Sequence, residues 1–168
     1  MVISEGFSKF EFNLLRMKQT LFIVLVLASM LSCKKDKFTT APQIDFKSVS
    51  PNATSIDLGS AIPNITFSVT DKEGDIGFVN GSDTAFIYLK NNLTGKFDSL
   101  QFPDLQSAGK NNFKADVTVS IASVLECKSR PGGALHTDTI YFDIYVKDFD
   151  KNKSNVVTTS NPVFFTCR

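Results

Sequence analysis

The chain has 168 residues, with 18 Lys or Arg against 17 Asp or Glu and a formal net charge of +1 at pH 7. From residue 33 onward the charges balance at 15 of each sign, so the sequence lacks the basic excess that nucleic-acid binding needs. It contains one histidine, three cysteines and no tryptophan, which limits the chemistry that side chains can supply. These properties argue against a nucleic-acid partner and favour one globular domain.

An export signal precedes that domain. It opens with Met17-Lys18, continues through an 11-residue apolar run at 21–31 and ends with Ser32 before Cys33. The run is far shorter than the roughly 20 apolar residues that a membrane span requires. The arrangement resembles a bacterial lipoprotein signal peptide, which is cut before a cysteine that carries a diacylglycerol. The resemblance implies lipidation of Cys33 and anchoring to the outer membrane of the cell envelope, facing the periplasm or the surface. An ordinary secretory signal is the alternative.

Residues 1–16 do not fit the pattern of an export signal. They contain Glu5 and Glu11, whose charges oppose the positive start that orients a signal peptide. We interpret 1–16 as an upstream mis-start, with a longer, tolerated start of the signal as the alternative. The sequence then predicts a signal peptide at 17–32, a lipidated tether at 33–42 and one domain at 43–168.

Hydropathy alternates with a period of two along the domain. Ile65, Phe67 and Val69 alternate with polar residues, and the pattern recurs at 117–121 and 140–147. Such alternation places one face of a strand in a core and the other in water. The sequence therefore predicts an all-β fold, a single Ig-like antiparallel β-sandwich of seven to eight strands. The predicted strands lie at 43–48, 54–58, 63–70, 83–90, 95–102, 113–122, 138–147 and 155–165.

Two loops gather acidic residues. Asp71, Glu73 and Asp75 follow the third predicted strand, and Asp148 and Asp150 follow the seventh. If the strands are lettered as in an immunoglobulin sandwich, both loops lie at the same end. Carboxylates at alternate positions suit Ca²⁺, which binds about six to eight oxygens. A structural calcium site formed by these five residues, with no other cofactor, is one hypothesis; turn formation alone is the alternative.

The loop sequences also carry a resemblance. The segments DKEGDIG at 71–77 and DFDKN at 148–152 resemble loops in Ig-like modules of Gram-negative lipoproteins. The resemblance covers about residues 63–165, and it implies the Ig-like fold that the alternation predicts.

Two cysteines remain once Cys33 is lipidated. Cys127 and Cys167 form an even pair in an exported chain, which favours a disulfide because the envelope is oxidising. Two free thiols are the alternative. The lettering places both cysteines at the end of the sandwich opposite the acidic loops. A thiolate metal site is not favoured, since His136 is the single histidine.

Motifs for catalysis are missing, so the sequence predicts that the protein is not an enzyme. His136 has no serine in a nucleophile-elbow context to act on, and the glycines at 132–133 lack the Lys-Ser/Thr of a phosphate-binding loop. Three Asp-Ser/Thr-apolar triplets resemble an O-glycosylation sequon of some Gram-negative envelopes. They would carry sugars on Thr84, Ser99 and Thr139.

These features together predict a lipid-anchored binding or interaction module of the cell envelope, with an envelope protein or glycan as partner. The first alternative is a purely structural or accessory lipoprotein, and the second is a small envelope hydrolase. An exposed aromatic cluster would favour the binding module, because exposed apolar patches mark interaction sites. A concave pocket with a perturbed carboxylate would favour the hydrolase.

Overall fold

The computed structural model describes residues 38–57, 59–77, 84–103 and 111–168, all within the unit Lys37–Arg168. The predictions for 1–16, for the signal peptide at 17–32 and for Cys33 lie outside the described residues. No helix among the described residues is long and apolar enough to cross a membrane. The strands are β1 (Gln43–Ser50), β2 (Ala53–Ser55), β3 (Asn64–Asp71), β4 (Phe86–Asn91), β5 (Phe97–Gln101), β6 (Phe113–Ser120), β7 (His136–Ile140), β8 (Phe142–Lys147), β9 (Val157–Thr158) and β10 (Val163–Cys167).

The strands form a β-sandwich, which confirms the predicted fold class. One sheet has the order β1-β3-β6, and the others have the orders β5-β4-β8-β9 and β2-β10-β7. The last two are nearly continuous, because only Tyr141 separates β7 from β8. Phe142 N donates to Thr159 Oγ1 at 3.1 Å, and Thr159 N donates to the Phe142 carbonyl at 2.9 Å, so the pairing of β8 with β9 continues up to the junction. The two small sheets therefore act as one layer opposite β1-β3-β6.

The predicted seventh and eighth strands are each divided in two. The division of the eighth, between β9 and β10, falls at Pro162, which has no N–H to give to a ladder. Directly across from this interruption lies Tyr141, the residue at which the seventh strand divides. The missing donor in one strand thus interrupts the pairing of both.

One pairing differs from the antiparallel prediction. β2 pairs with β10 in parallel, with Phe164 opposite Ala53 and Thr166 opposite Ser55. β1 belongs to the opposite layer, where it pairs with β3. Only Pro51 and Asn52 separate β1 from β2, so the chain changes layer without the hairpin that would reverse it. The short second strand therefore reaches the edge of the other layer in the parallel direction.

The core lies between the layers and consists of the inward members of the alternating strands. The largest fully buried side chains include Phe67 from β3, Phe142 from β8 and Phe102, which directly follows β5. Full burial of side chains of this size is worth ~1.5–3 kcal/mol each. The other buried strand residues of large volume include Ile44, Ile65, Val69, Ile87, Leu89, Ile140 and Ile144.

The side chains of two asparagines form hydrogen bonds between segments that are not paired as strands. The buried Asn91 amide donates to the carbonyls of Val124 and Glu126 at 3.1 and 3.0 Å, and its oxygen accepts from the N–H groups of the β4–β5 turn. Asn155 accepts from Ile44 N and donates to the Ile44 carbonyl, both at 2.8 Å. Asn155 therefore holds the β8–β9 loop against β1 of the opposite layer.

The predicted disulfide is confirmed. Cys127, in the β6–β7 connection, is bonded to Cys167 at the end of β10, with a Cα–Cα distance of 6.5 Å and a sequence separation of 40. The bond lies beside the first residue of β7, since His136 is the register partner of Cys167. It is therefore at the opposite end of the β7–β8 run from the loop that follows β8.

Replacing both cysteines by alanine (Cys127→Ala with Cys167→Ala) should lower the free energy of unfolding by up to ~4 kcal/mol, because the bond closes a long loop in the unfolded chain. Urea unfolding of the oxidised full chain and of the variant measures this difference. Intact mass should show the oxidised protein two hydrogens lighter than its reduced form. Thiol labelling of both cysteines in the folded, unreduced protein would contradict the bond.

Candidate functional site

A carboxylate cluster lies at the end of the sandwich away from the disulfide. Asp71 is the last residue of β3, Asp75 lies four residues further on, and Asp148 directly follows β8. One carboxylate oxygen from each residue lies within 4.8 Å of those of the other two. Asp71 and Asp148 are fully buried, and Asp75 is half-buried. The structure thus brings the two acidic loops together, as the immunoglobulin lettering predicts.

Backbone N–H groups position the buried carboxylates. Gly74 N donates to Asp71 Oδ2 at 2.6 Å, and Gly74 adopts a φ of 72°, which favours glycine. Asn152 donates to both oxygens of Asp148, from its backbone N at 2.7 Å and from Nδ2 at 3.0 Å. Phe149 N donates to the Asp75 carbonyl at 3.0 Å and joins the two loops directly.

Two oxygens of the cluster are left over. Asp71 Oδ1 and Asp75 Oδ1 are buried and have no hydrogen-bond partner. Burial, and next the Asp75 carboxyl beside it, raise the pKa of Asp71 to about 7. Burial also raises the pKa of Asp148, although the hydrogen bonds from Asn152 oppose the shift. The cluster therefore resists carrying three negative charges unless a proton or a cation lies among them.

Two of the five predicted metal ligands are not part of this cluster. Glu73 is exposed, and its Oε1 accepts a hydrogen bond from the Thr40 hydroxyl at 3.3 Å. Asp150 is exposed as well. Both residues lie in turns that face solvent. The alternating acidic residues that predicted five metal ligands therefore place three carboxylates in the cluster. A shallow cavity of about 230 Å³ lies nearby and is lined by Lys72, Glu73, Asn111 and Asn112, not by the clustered carboxylates.

The contact from Thr40 also bears on the predicted tether. Thr39 accepts a hydrogen bond from Lys72 N at 3.2 Å through its carbonyl, and Pro42 is buried. The last residues of the segment 33–42 are therefore held against the β3–β4 loop.

A second group of potential ligands surrounds the disulfide. One ligand atom from each of Cys127, His136, Asp138 and Cys167 lies within 4.8 Å of the others. Both sulfur atoms are used by the disulfide, so the oxidised protein has no thiolate there. No local sequence pattern predicts this group, because His136 and Cys167 become neighbours only through the pairing of β7 with β10.

Asp138 has a structural role in that group. Burial opposes the ionisation of Asp138, but the N–H of Lys128 at 2.9 Å and the neighbouring His136 and Arg130 outweigh burial and lower its pKa.

The predicted glycosylation site Thr139 directly follows Asp138 and is exposed on β7.

The other two predicted glycosylation sites differ in accessibility. Ser99 is exposed on β5, whereas Thr84 is half-buried just before β4. Modification at Thr84, Ser99 and Thr139 stays a prediction.

Four aromatic side chains meet on the outer surface of the sheet β5-β4-β8. They alternate with core residues such as Ile87 and therefore point outward. Tyr88 and Tyr145 are direct cross-strand partners, and their rings stack at 4.6 Å with an interplanar angle of 7°. Phe97 lies 5.8 Å from Tyr88 and is 52% exposed, while the Phe86 ring lies 6.4 Å from Tyr88.

Three lysines cover these rings. Lys153 Nζ lies 4.0 Å from the centroid of Tyr145, and Lys147 Nζ lies 5.5 Å from that of Tyr88. Lys151 Nζ lies 6.0 Å from the centroid of Phe86. Among the ion pairs formed between described residues, none includes these lysines. We call this surface the aromatic–lysine face; its members are Phe86, Tyr88, Phe97, Tyr145, Lys147, Lys151 and Lys153.

The alternating pattern alone does not single out this face. Alternation marks the outward residues of each strand as a wetted surface, although aromatic residues at outward positions are a signal for a binding surface. Cross-strand register brings the rings together. Tyr88 on β4 lies directly opposite Tyr145, and Phe97 lies opposite Lys90, which is two residues from Tyr88 on the same face of β4.

Comparison of the chain with family models, curated proteins and solved structures finds no match.

The carboxylate cluster predicts a specific pH dependence in the presence of a chelator. The folded pKa of Asp71, about 7, lies above its unfolded value of 3.8, so the folded state binds this proton more tightly. The free energy of unfolding should therefore fall as pH rises from about 4 to 7, by at most ~1.4 kcal/mol per pH unit for this group. Urea unfolding at pH 5, 6, 7 and 8 measures the slope.

The matched variants are Asp71→Asn and Asp150→Asn. Asp71→Asn imitates the neutral acid, so its slope should be shallower than that of the unmodified chain. Asp150→Asn removes an exposed charge outside the cluster and should keep the slope. Equal slopes for Asp71→Asn and the unmodified chain would show that the buried cluster does not set the pH dependence.

Proposed function

We propose that this protein is a lipid-anchored, non-catalytic binding module of the cell envelope, which binds an acidic protein partner through the aromatic–lysine face. The observation that carries the proposal is the outward-facing aromatic stack with its three lysines, in which Phe97 is exposed and Phe86, Tyr88 and Tyr145 are half-buried. Exposed clusters of this kind mark interaction surfaces, and tyrosine in particular is enriched in them. A structural or accessory lipoprotein without a ligand has no need of such a surface.

The orientation of the rings supports an anionic partner. Stacking and the lysines cover part of the ring faces. A partner therefore meets the edges of the rings more than their faces. The edge of an aromatic ring carries a partial positive charge, and each lysine ammonium group carries a full positive charge. Ring edges and ammonium groups therefore both attract carboxylate oxygens. A flat glycan would instead require free ring faces.

The charge of the face is available to a partner. The outward carboxylate of β8, Asp143, accepts hydrogen bonds from Asn92 Nδ2 at 2.8 Å and from the Thr158 hydroxyl at 2.6 Å. Among the described residues, it forms no ion pair with Lys147, Lys151 or Lys153. Complementary charge of this kind contributes mainly to specificity and association rate.

The proposed location in the cell envelope is based on the sequence. The short apolar run at 21–31, followed by Ser32 and Cys33, supports a lipidated cysteine, and β1 begins at Gln43, ten positions later. A short tether would keep the domain close to the outer membrane, on its periplasmic or its surface side. Lys34 and Lys35 would lie beside anionic headgroups, where each is worth on the order of 1 kcal/mol.

Zero-length carbodiimide crosslinking in intact envelopes tests the partner. The reagent joins a lysine to a carboxylate in direct contact, so linked peptides should map Lys147, Lys151 or Lys153 to an acidic segment of another protein. Replacing Lys147 and Lys153 together by Gln should lower the yield of this product about tenfold. Raising the salt concentration should lower it too, since exposed charges are screened.

Lys114→Gln is the matched control, because Lys114 is an exposed lysine on β6 in the opposite layer. It should leave the crosslinked yield unchanged, with all variants melting at the same temperature as the unmodified chain. Equal yields for the Lys147/Lys153 variant and the control would contradict binding through this face. Retention of the protein by a glycan that Tyr145→Ala abolishes, without any protein crosslink, would overturn the acidic protein partner.

Lipidation is tested separately. Globomycin, which blocks the lipoprotein signal peptidase, should cause a larger precursor to accumulate. Cys33→Ala should move the protein from the membrane fraction to the soluble fraction, because stable anchoring depends on its acyl chains. Membrane fractionation followed by immunoblotting measures both effects. Unchanged fractionation of Cys33→Ala would contradict the lipid anchor.

A further inference from the structure

The geometry points to a divalent cation site, formed by the carboxylates of Asp71, Asp75 and Asp148, that takes Ca²⁺ and links the β3–β4 loop to the β8–β9 loop. The proposal is independent of the binding function above. It concerns residues at one end of the sandwich, whereas the proposed partner surface is the outer face of a sheet.

The spacing of the oxygens fits one cation. Ca²⁺ binds its oxygen ligands at ~2.3–2.6 Å, so two oxygens on opposite sides of the ion are about 4.8 Å apart. One oxygen from each of the three aspartates lies within 4.8 Å of the others. This spacing is compatible with all three aspartates contacting one ion.

The unpartnered oxygens indicate where the ion would lie. Asp71 is fully buried, yet its Oδ1 has no hydrogen-bond partner, and Asp75 Oδ1 is also buried and unpartnered. Buried polar groups in native proteins are almost always satisfied, so an orphaned pair beside a third carboxylate calls for a missing partner. Asp71 Oδ2 and both oxygens of Asp148 already hold N–H donors, which fix the carboxylates in place.

No basic side chain supplies the missing charge within the part of the chain that is described. The ion pairs formed there involve Lys96 with Glu126, and Arg130 and His136 with Asp138. None of them includes the three clustered aspartates. Apart from a proton, a cation from solvent is the remaining source of positive charge for this site.

The donor set selects the ion. Carboxylate oxygens are hard ligands, which favours Ca²⁺ or Mg²⁺ over zinc with its preference for nitrogen and sulfur. The ligands come from two different loops, and waters or carbonyls can complete a flexible shell. Mg²⁺ demands a tight octahedron at ~2.0–2.1 Å and gives up its waters reluctantly. We therefore expect Ca²⁺ to bind more tightly than Mg²⁺.

Calcium titration of the chelator-stripped full chain tests the site. Isothermal titration calorimetry with CaCl₂ should show one ion bound per chain. Calcium at about a hundredfold excess over Kd should raise the melting temperature by roughly 5–10 °C, because an ion bound only by the folded state stabilises it by mass action. MgCl₂ at the same concentration should give a smaller shift.

The variants separate the site from general screening of negative charge. Asp75→Asn should weaken Ca²⁺ binding about tenfold or more, since it removes a charge from a half-buried ligand while keeping its volume. Glu73→Gln and Asp150→Asn remove exposed acids from the same two loops and should retain the affinity of the unmodified chain. Asp71→Asn is a second test in the cluster and should abolish the calcium-dependent shift.

Two outcomes would overturn the proposal. The first is an unmodified chain that gives neither binding heat nor a change in melting temperature at millimolar CaCl₂. The second is a loss of affinity in Glu73→Gln or Asp150→Asn as large as that in Asp75→Asn, which would assign the effect to surface charge. A failed crosslinking experiment would leave this result unaffected, because calcium binding is measured on the chain alone.

Discussion

Burial of one face of each long strand against the opposite layer is the constraint on which the rest of this domain depends. With residues such as Ile65 and Phe67 fixed inward, the register of β3 against β6 admits no slip, because a shift by one residue would turn the core outward. The pairing with β1 shifts by one residue between Phe46 and Ser48, and Ile44 and Val49 on either side of this irregularity are both buried. The outward residues inherit fixed positions from the same register. The stack of Tyr88 on Tyr145 is a direct consequence, since both alternate with buried isoleucines.

The two ends of the sandwich differ in how their buried carboxyl groups are stabilised. At one end the Cys127–Cys167 bond ties the β6–β7 connection to the last strand and lies next to a buried, charge-stabilised Asp138. At the other end the carboxyls of Asp71 and Asp148 are buried without a basic partner among the described ion pairs, and their pKa values rise. The first end is satisfied by the chain itself. The second is satisfied by a proton at low pH and, in our proposal, by calcium at neutral pH.

The β8–β9 loop connects the two proposals. Asp148 begins this loop inside the carboxylate cluster, while Lys151 and Lys153 place their ammonium groups over Phe86 and Tyr145. Asn155 then fastens the end of the loop to β1. A cation held by Asp148 would therefore order the same segment that presents two lysines of the aromatic–lysine face. Loop ordering before binding reduces the conformational entropy that a partner must overcome.

Local sequence patterns predicted the fold class, most strands to within a few residues and, with Cys33 assigned to lipidation, the Cys127–Cys167 pair. They could do so because alternation, turn residues and cysteine parity are local or countable. The three-dimensional fold was needed to establish that Glu73 and Asp150 face solvent while Asp75 joins Asp71 and Asp148. It also decided that β2 runs parallel to β10, and that Tyr88, Phe97 and Tyr145 form one surface. Those outcomes depend on layer crossing and cross-strand register, in which residues far apart in the chain become neighbours, and no local pattern encodes which neighbour each residue receives.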